Sequence, residues 1–242
     1  MSAFVIYLND EKLAIATDTM LYKELHYNAE PERPHHIVPV GFSQKAHLFP
    51  NHRCVIVCFG FDKTSDYLEE FVRSLKGCAD VENIVKEIES GFYKTLDFTT
   101  YEKRDSESIM PGSLQICGYS ELEKKMVWYV VNIHWTHLTV VKKDFISGTI
   151  VSVPFIKDKA IEAQIGSRND LSIHDILIEL MKLQYQESLN PLTRTVGVGG
   201  EIMMTTILSK PYFSVTVEFL YRFENFDLIN NGYQFSKIKG VL

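Results

Sequence analysis

Residues 2–18 read SAFVIYLNDEKLAIATD, two short β-patterned runs around a polar turn. Phe4 to Leu8 is apolar and rich in β-branched and aromatic side chains, which suit a pleated, half-buried surface. Asn9-Asp10-Glu11-Lys12 supplies turn formers, and Leu13 to Ala16 is the second run. The pattern predicts an antiparallel hairpin.

Beyond it, the polar stretch YKELHYNAEPERPHH from Tyr22 to His36 carries two prolines and predicts an excursion loop. Lys45 opens the next block, and Cys54 to Phe59 predicts a buried strand bounded by Asn51 and Gly60. Tyr67, Leu68, Phe71, Val72 and Leu75 recur at helical spacing between about Asp62 and Gly77, with Thr64 or Ser65 able to cap. A second helix is expected from an Asp80 cap, with Val81, Ile84, Val85 and Ile88 as its stripe. Residues 97–112 read as a loop. Leu114–Tyr119, Met126–Ile133, Leu138–Val141 and Thr149–Val153 read as strands. Ser172 to Leu189 is the clearest helix, opened by a Ser172/Asp175 capping box and closed by Asn190-Pro191. Glu201–Leu208 and Phe213–Phe223 are again β-patterned. Strands and helices come in blocks rather than alternating singly, which implies an α+β layered fold with mainly antiparallel sheets.

The chain has 242 residues, 45% apolar and 23% charged, a globular composition. A net charge of −6 argues against broad nucleic-acid binding. No run of about 20 apolar residues is present to span a membrane. The first residues lack the basic region of a signal peptide, so a cytoplasmic location is expected. Four cysteines without a CxxC spacing read as buried thiols. Eight histidines match no zinc spacing, and no nucleotide or metalloprotease motif occurs, so neither metal nor cofactor is expected. The glycine-rich Gly197–Gly200 precedes a strand, where a phosphate cradle needs a helix N-terminus; it reads as a tight turn or bulge.

One constellation carries chemistry. Removal of Met1 would give Ser2 both a hydroxyl and a free α-amine. A serine hydroxyl needs a base, and an α-amine with an ordinary pKa of about 8 can serve near neutral pH. A neighbouring lysine would lower that pKa by like-charge repulsion, and an aspartate would hold the lysine. Ser2 opens the first run, Asp18 ends the second and Lys45 begins the next block. Taken singly each has a plainer reading: Ser2 as a common second residue, Asp18 as a turn cap, Lys45 as a solvated strand end.

Together these segments resemble the N-terminal-nucleophile hydrolase superfamily, specifically proteasome β-type subunits and the bacterial proteasome-like protease. Ser2–Leu8 with Leu13-Ala-Ile-Ala-Thr-Asp18 is similar to the family's nucleophile strand and its partner. Lys45-Ala-His-Leu-Phe followed by Val55–Gly60 is similar to its lysine segment and glycine-ended strand. Ile165-Gly-Ser167 resembles its glycine-serine segment, and Gly199-Gly200 the pair leading into its last core strand.

The resemblance implies a four-layer αββα sandwich of two mainly antiparallel sheets, a single domain over residues 1–242 with 22–44 as an inserted loop. It implies an amide hydrolase, with Ser2 as nucleophile, Asp18 and Lys45 tuning its amine, the Gly60 N–H stabilising the oxyanion and Ser167 supporting the amine. The substrate would be a peptide or other amide, and a homo-oligomer is expected. The alternative is an inactive subunit in which Asp18 and Lys45 are a structural ion pair. Departures from the family pattern are the serine nucleophile, Phe59 before Gly60, Thr195 and Val198 in place of supporting Asp and Ser, and one helix, 172–189, where two are usual.

Overall fold

The computed structural model describes residues 3–25, 36–60, 64–75, 80–96, 112–189, 197–210 and 212–226. The opening hairpin is β1 (Phe4–Leu8) and β2 (Lys12–Asp18), antiparallel with Phe4 opposite Thr17 and Leu8 opposite Leu13. Asn9 closes the turn: its Oδ1 accepts the N–H groups of Glu11 at 2.9 Å and Lys12 at 2.6 Å. That is the short-range side-chain-to-backbone bond asparagine favours in turns.

Two five-stranded antiparallel sheets follow. In the first, β1 lies between β2 and β10 (Thr149–Val153), while β2 pairs with β11 (Glu201–Leu208) and β11 with β12 (Ser214–Arg222). The second is a meander of β5 (Ala46–Phe49), β6 (Cys54–Gly60), β7 (Gly112–Ser120), β8 (Lys125–Ile133) and β9 (Leu138–Lys143). A side hairpin, β3 (Met20–Leu25) with β4 (His36–Phe42), stands apart.

Strand alternation sorts side chains into layers. Phe4, Ile6, Leu8, Leu13, Ile15, Met203 and Ile207 of the first sheet meet Ala46, Val55, Val57, Cys117, Met126, Trp128 and Val130 of the second in a dry layer between the sheets. The opposite face of the first sheet offers the small Ala3, Ala14 and Ala16. Helix α4 (Ile173–Leu189) seats Ile176, Leu177, Leu180 and Met181 against this face. The outer face of the second sheet, with Cys54, Ile56, Leu114 and Ile116, is covered by α1 (Thr64–Ser74) and α2 (Val81–Gly91). The result is the αββα sandwich. Asp80 caps α2 by accepting the Asn83 N–H at 3.1 Å, and the Ser172/Asp175 box opens α4, with Asp175 N–H donating to Ser172 Oγ at 3.2 Å.

The structure corrects the sequence reading at several places. The described parts of the expected 22–44 loop are mostly the β3/β4 hairpin rather than loop. A second helix, α3 (Lys159–Gly166), precedes α4; none of its residues is buried, so it shows no apolar stripe. It is held instead by Asp158, whose carboxylate accepts the Ile161 N–H at 3.0 Å. β2 runs on through Thr17 and Asp18. Residues 97–111, Cys78, and the side chains of Thr64 and Ser65 lie outside what is described. Among the described residues no helix is long and apolar enough to cross a membrane.

Candidate active site

Asp18 ends β2 and is fully buried. Its Oδ1 accepts from Lys45 Nζ at 2.5 Å and from the Ala3 N–H at 3.1 Å. Its Oδ2 accepts from the Gly199 N–H at 3.2 Å. The carboxylate thus gathers three segments far apart in sequence. Lys45 is 5% exposed and precedes β5; its carbonyl accepts the Cys58 N–H at 3.1 Å, which ties it to β6. The ion pair therefore joins the end of a first-sheet strand to the start of the second sheet.

Burial pushes the Asp18 carboxyl up and the Lys45 ammonium down from their ordinary values, because each charge has left water. Their attraction for each other opposes both movements, as do the N–H groups of Ala3 and Gly199 at Asp18. Lys45 consequently holds its proton less tightly than a lysine in water.

Ala3, also fully buried, is the described residue nearest the start of the chain, and its bonded nitrogen joins it to residue 2. Ser2 itself lies outside the described residues. Gly60 ends β6 opposite Gly112, two residues beyond the Cys58 that bonds Lys45. Phe59, the departure from the family pattern before Gly60, packs on Phe4 with ring centroids 4.9 Å apart.

Ser167 is not brought to this cluster. It is exposed and caps the end of α3, its Oγ donating to the Gln164 carbonyl at 3.1 Å. It lines a cavity of about 440 Å³ with Gly148, Ser152 and Leu180. The Ile165-Gly-Ser167 segment forms the end of α3, and that last turn uses the hydroxyl.

The reading of the site from sequence missed Gly199. Its N–H reaches Asp18, and its carbonyl accepts from Thr19 N–H at 3.3 Å and Met20 N–H at 3.2 Å. Gly200 has φ 77°, the left-handed region glycine enters without steric cost, and the chain bends there into β11. Thr19 Oγ1 accepts the Glu201 N–H at 2.9 Å and fastens the start of β11.

Cys54, Cys58 and Cys117 are buried thiols, and burial raises the pKa of each. His47 is buried against Glu69, with Nδ1 and Oε1 2.8 Å apart. Among the described residues no group of three His, Cys, Asp or Glu side chains is placed to hold a metal ion. A groove of about 740 Å³ starts at Gln44, beside Lys45, and runs along β5 and α1.

No family model matches the chain, and no curated protein is similar to it in sequence. Solved structures share its architecture. The Anbu (Gly-1) mutant from Hyphomicrobium sp. strain MC1 superposes with a TM-score of 0.52 at 14% identity, over 100% of this chain and 96% of its own. Anbu, an ancestral beta-subunit, from Yersinia bercovieri gives 0.51 at 14% identity, over 99% and 96%. Thiobacillus denitrificans BPH in complex with epoxomicin gives 0.52 at 12% identity, over 86% of this chain and 100% of its own. The chain shares the proteasome-like αββα fold of these structures.

Proposed function

We propose that the chain is an amide hydrolase acting on peptides, with Ser2, exposed by removal of Met1, as its nucleophile. The observation that carries the proposal is one buried carboxylate that accepts both the Lys45 ammonium and the amide N–H joining Ala3 to residue 2. The carboxylate that holds Lys45 thus also holds the backbone N–H of Ala3, the residue that follows Ser2 in sequence.

Ser2 Oγ attacks the amide carbonyl carbon while its proton passes, through a water, to the Ser2 α-amine. The Gly60 N–H helps stabilise the oxyanion. The C–N bond then breaks, the departing amine takes that proton, and an ester to Ser2 remains. Water adds to the ester, giving its proton to the α-amine, and the acid leaves as Oγ is reprotonated. Lys45 disfavours a second positive charge nearby and so keeps the α-amine a neutral base. Asp18 orients Lys45. Ser167, committed to the last turn of α3, has no part in this reading. That the active form is an oligomer, as the family resemblance implies, belongs to the same proposal.

Intact mass of the purified protein, followed by hydrolysis of fluorogenic peptides, tests it. The expected result is a chain lighter by one methionine whose turnover is abolished by Ser2→Ala with the circular dichroism spectrum unchanged. A retained Met1, which leaves an amide where a base is needed, or undiminished turnover in Ser2→Ala, would refute it and leave Asp18–Lys45 a structural pair.

A further inference from the structure

The Gly199 N–H holds Asp18 only if the turn carrying it is itself fixed, and the fixing group lies beyond β12. Asn225 Oδ1 accepts the Gly200 N–H at 3.1 Å, and its Nδ2 donates to the Val198 carbonyl at 3.3 Å. One side-chain amide therefore grips the residues on both sides of Gly199. The same Nδ2 lies 3.8 Å from Met20 Sδ, next to the Thr19 and Met20 N–H groups that bond the Gly199 carbonyl. The fit is close: a Cβ on Gly199 would stand 2.2 Å from Asn225 Nδ2. Asn225 is held in turn by the backbone, since Phe223 N–H donates to the Gly200 carbonyl at 2.9 Å.

We infer that Asn225 is a positioning residue for the proposed reaction, acting through the Val198–Gly200 turn on Asp18 and thence on Lys45. The inference rests on the hydrolase reading for its catalytic consequence but not for its structural one. Asn225 touches none of the reacting groups. It sets the direction of the Gly199 N–H, one of the donors that keep the Asp18 carboxylate charged, and a charged Asp18 keeps the proton on Lys45. Removing the clamp lets the turn relax, weakens that donor and loosens the lysine's proton.

The test uses the full chain and two readouts. The first is the titration of Lys45, followed by NMR of protein carrying ¹³C-labelled lysine, with the Lys45 signal assigned by its loss in Lys45→Met. The second is the kcat and KM of peptide hydrolysis. In Asn225→Ala the Lys45 midpoint should fall, and kcat should drop about tenfold to a hundredfold with KM little changed, the loss expected when a supporting group lets reacting atoms drift. Gly199→Ala should do the same, because its new Cβ displaces the Asn225 amide. Asn225→Ala makes room for that Cβ, so the double variant should be no worse than the poorer single variant. A Lys45 midpoint unchanged in Asn225→Ala, with only the unfolding midpoint lowered, would overturn the inference, as would effects of the two substitutions that simply multiply. Asn225→Ser and Gly199→Ala give the same titration reading should Asn225→Ala not fold. If the wild-type protein hydrolyses no amide, the hydrolase reading fails, while the Lys45 titration still decides the role of Asn225.

Discussion

Asp18 and Lys45 are both buried, at 0% and 5% exposure. A buried pair of this kind is costly to assemble and costlier to break, since removing one partner strands the other charge away from water, at about 3–5 kcal/mol. Lys45→Met should therefore lower stability by about that amount, read from urea unfolding near neutral pH. The deficit should depend on pH with a definite sign. Burial raises the Asp18 pKa in the folded state, so the protonated carboxyl favours folding. The stability this brings is complete below the ordinary value of 3.8 and is lost as the pH rises through the folded-state value. In Lys45→Met that loss is larger, because the attraction opposing it has gone. The gap between wild type and variant should narrow as the pH falls towards 3.8. A gap constant over that range would mean that removing Lys45 leaves the titration of Asp18 unchanged, so that the attraction between the two does not hold the carboxylate in its charged form.

At the scale of elements, the site depends on β5, a four-residue strand that pairs, among the described residues, with β6 alone. Its second attachment is the His47–Glu69 bond to α1, with Arg73 on the other Glu69 oxygen at 3.0 Å. The hydrogen bond from His47, aided by the charges of His47 and Arg73, lowers the Glu69 pKa. A depressed acid contributes stability above its ordinary value, here 4.5, and loses it as the pH falls below. Glu69→Gln should be less stable than wild type above pH 4.5, with the two curves converging below it; the thermal midpoint measured across pH checks this. Curves parallel through that range would show that the charge of Glu69 contributes nothing to the seat of β5.

Which elements could be read from sequence follows from the same physics. β1 and β2 read as nearly continuous apolar runs because both their faces are buried, and α2 and α4 carry apolar periodicity because each buries one face. α3 has no fully buried residue, only Ile165 packing partly buried against the core, so its local sign is the Asp158 cap. The β3/β4 hairpin was hidden by its charges and prolines, yet Pro39 is tolerated beside a register shift opposite Tyr22, where a ladder bond is not demanded of it. Asp18 and Lys45 could be brought together through the family resemblance, with Asp18 ending one β-patterned run and Lys45 opening the next block. Gly199 and Asn225 could not: the Gly199–Asp18 bond spans 181 positions, and no local pattern states which turn will meet which carboxylate.

For the whole molecule, the αββα arrangement makes the dry layer between the sheets more than a source of stability. Asp18 belongs to one sheet and Lys45 is bonded to the other, so the 2.5 Å contact between them is a measure of how the sheets are stacked. Ile15 lies in that layer, three residues before Asp18 on β2, whereas Ile84 lies on α2 in the outer layer; both are fully buried. Truncating either leaves a cavity and removes the same apolar volume, so Ile15→Ala and Ile84→Ala should each cost about 2–5 kcal/mol in urea unfolding. Their effects on the site should differ. A cavity between the sheets lets them shift against each other and move Lys45 relative to Asp18. A cavity under α2 is absorbed on the far side of a meander whose strands stay paired. The Lys45 titration should therefore change in Ile15→Ala and stay at its wild-type midpoint in Ile84→Ala. Equal displacement in both variants would mean that the pair senses overall stability rather than sheet stacking, and would undo the argument that the site is built on the seam between two separately supported sheets.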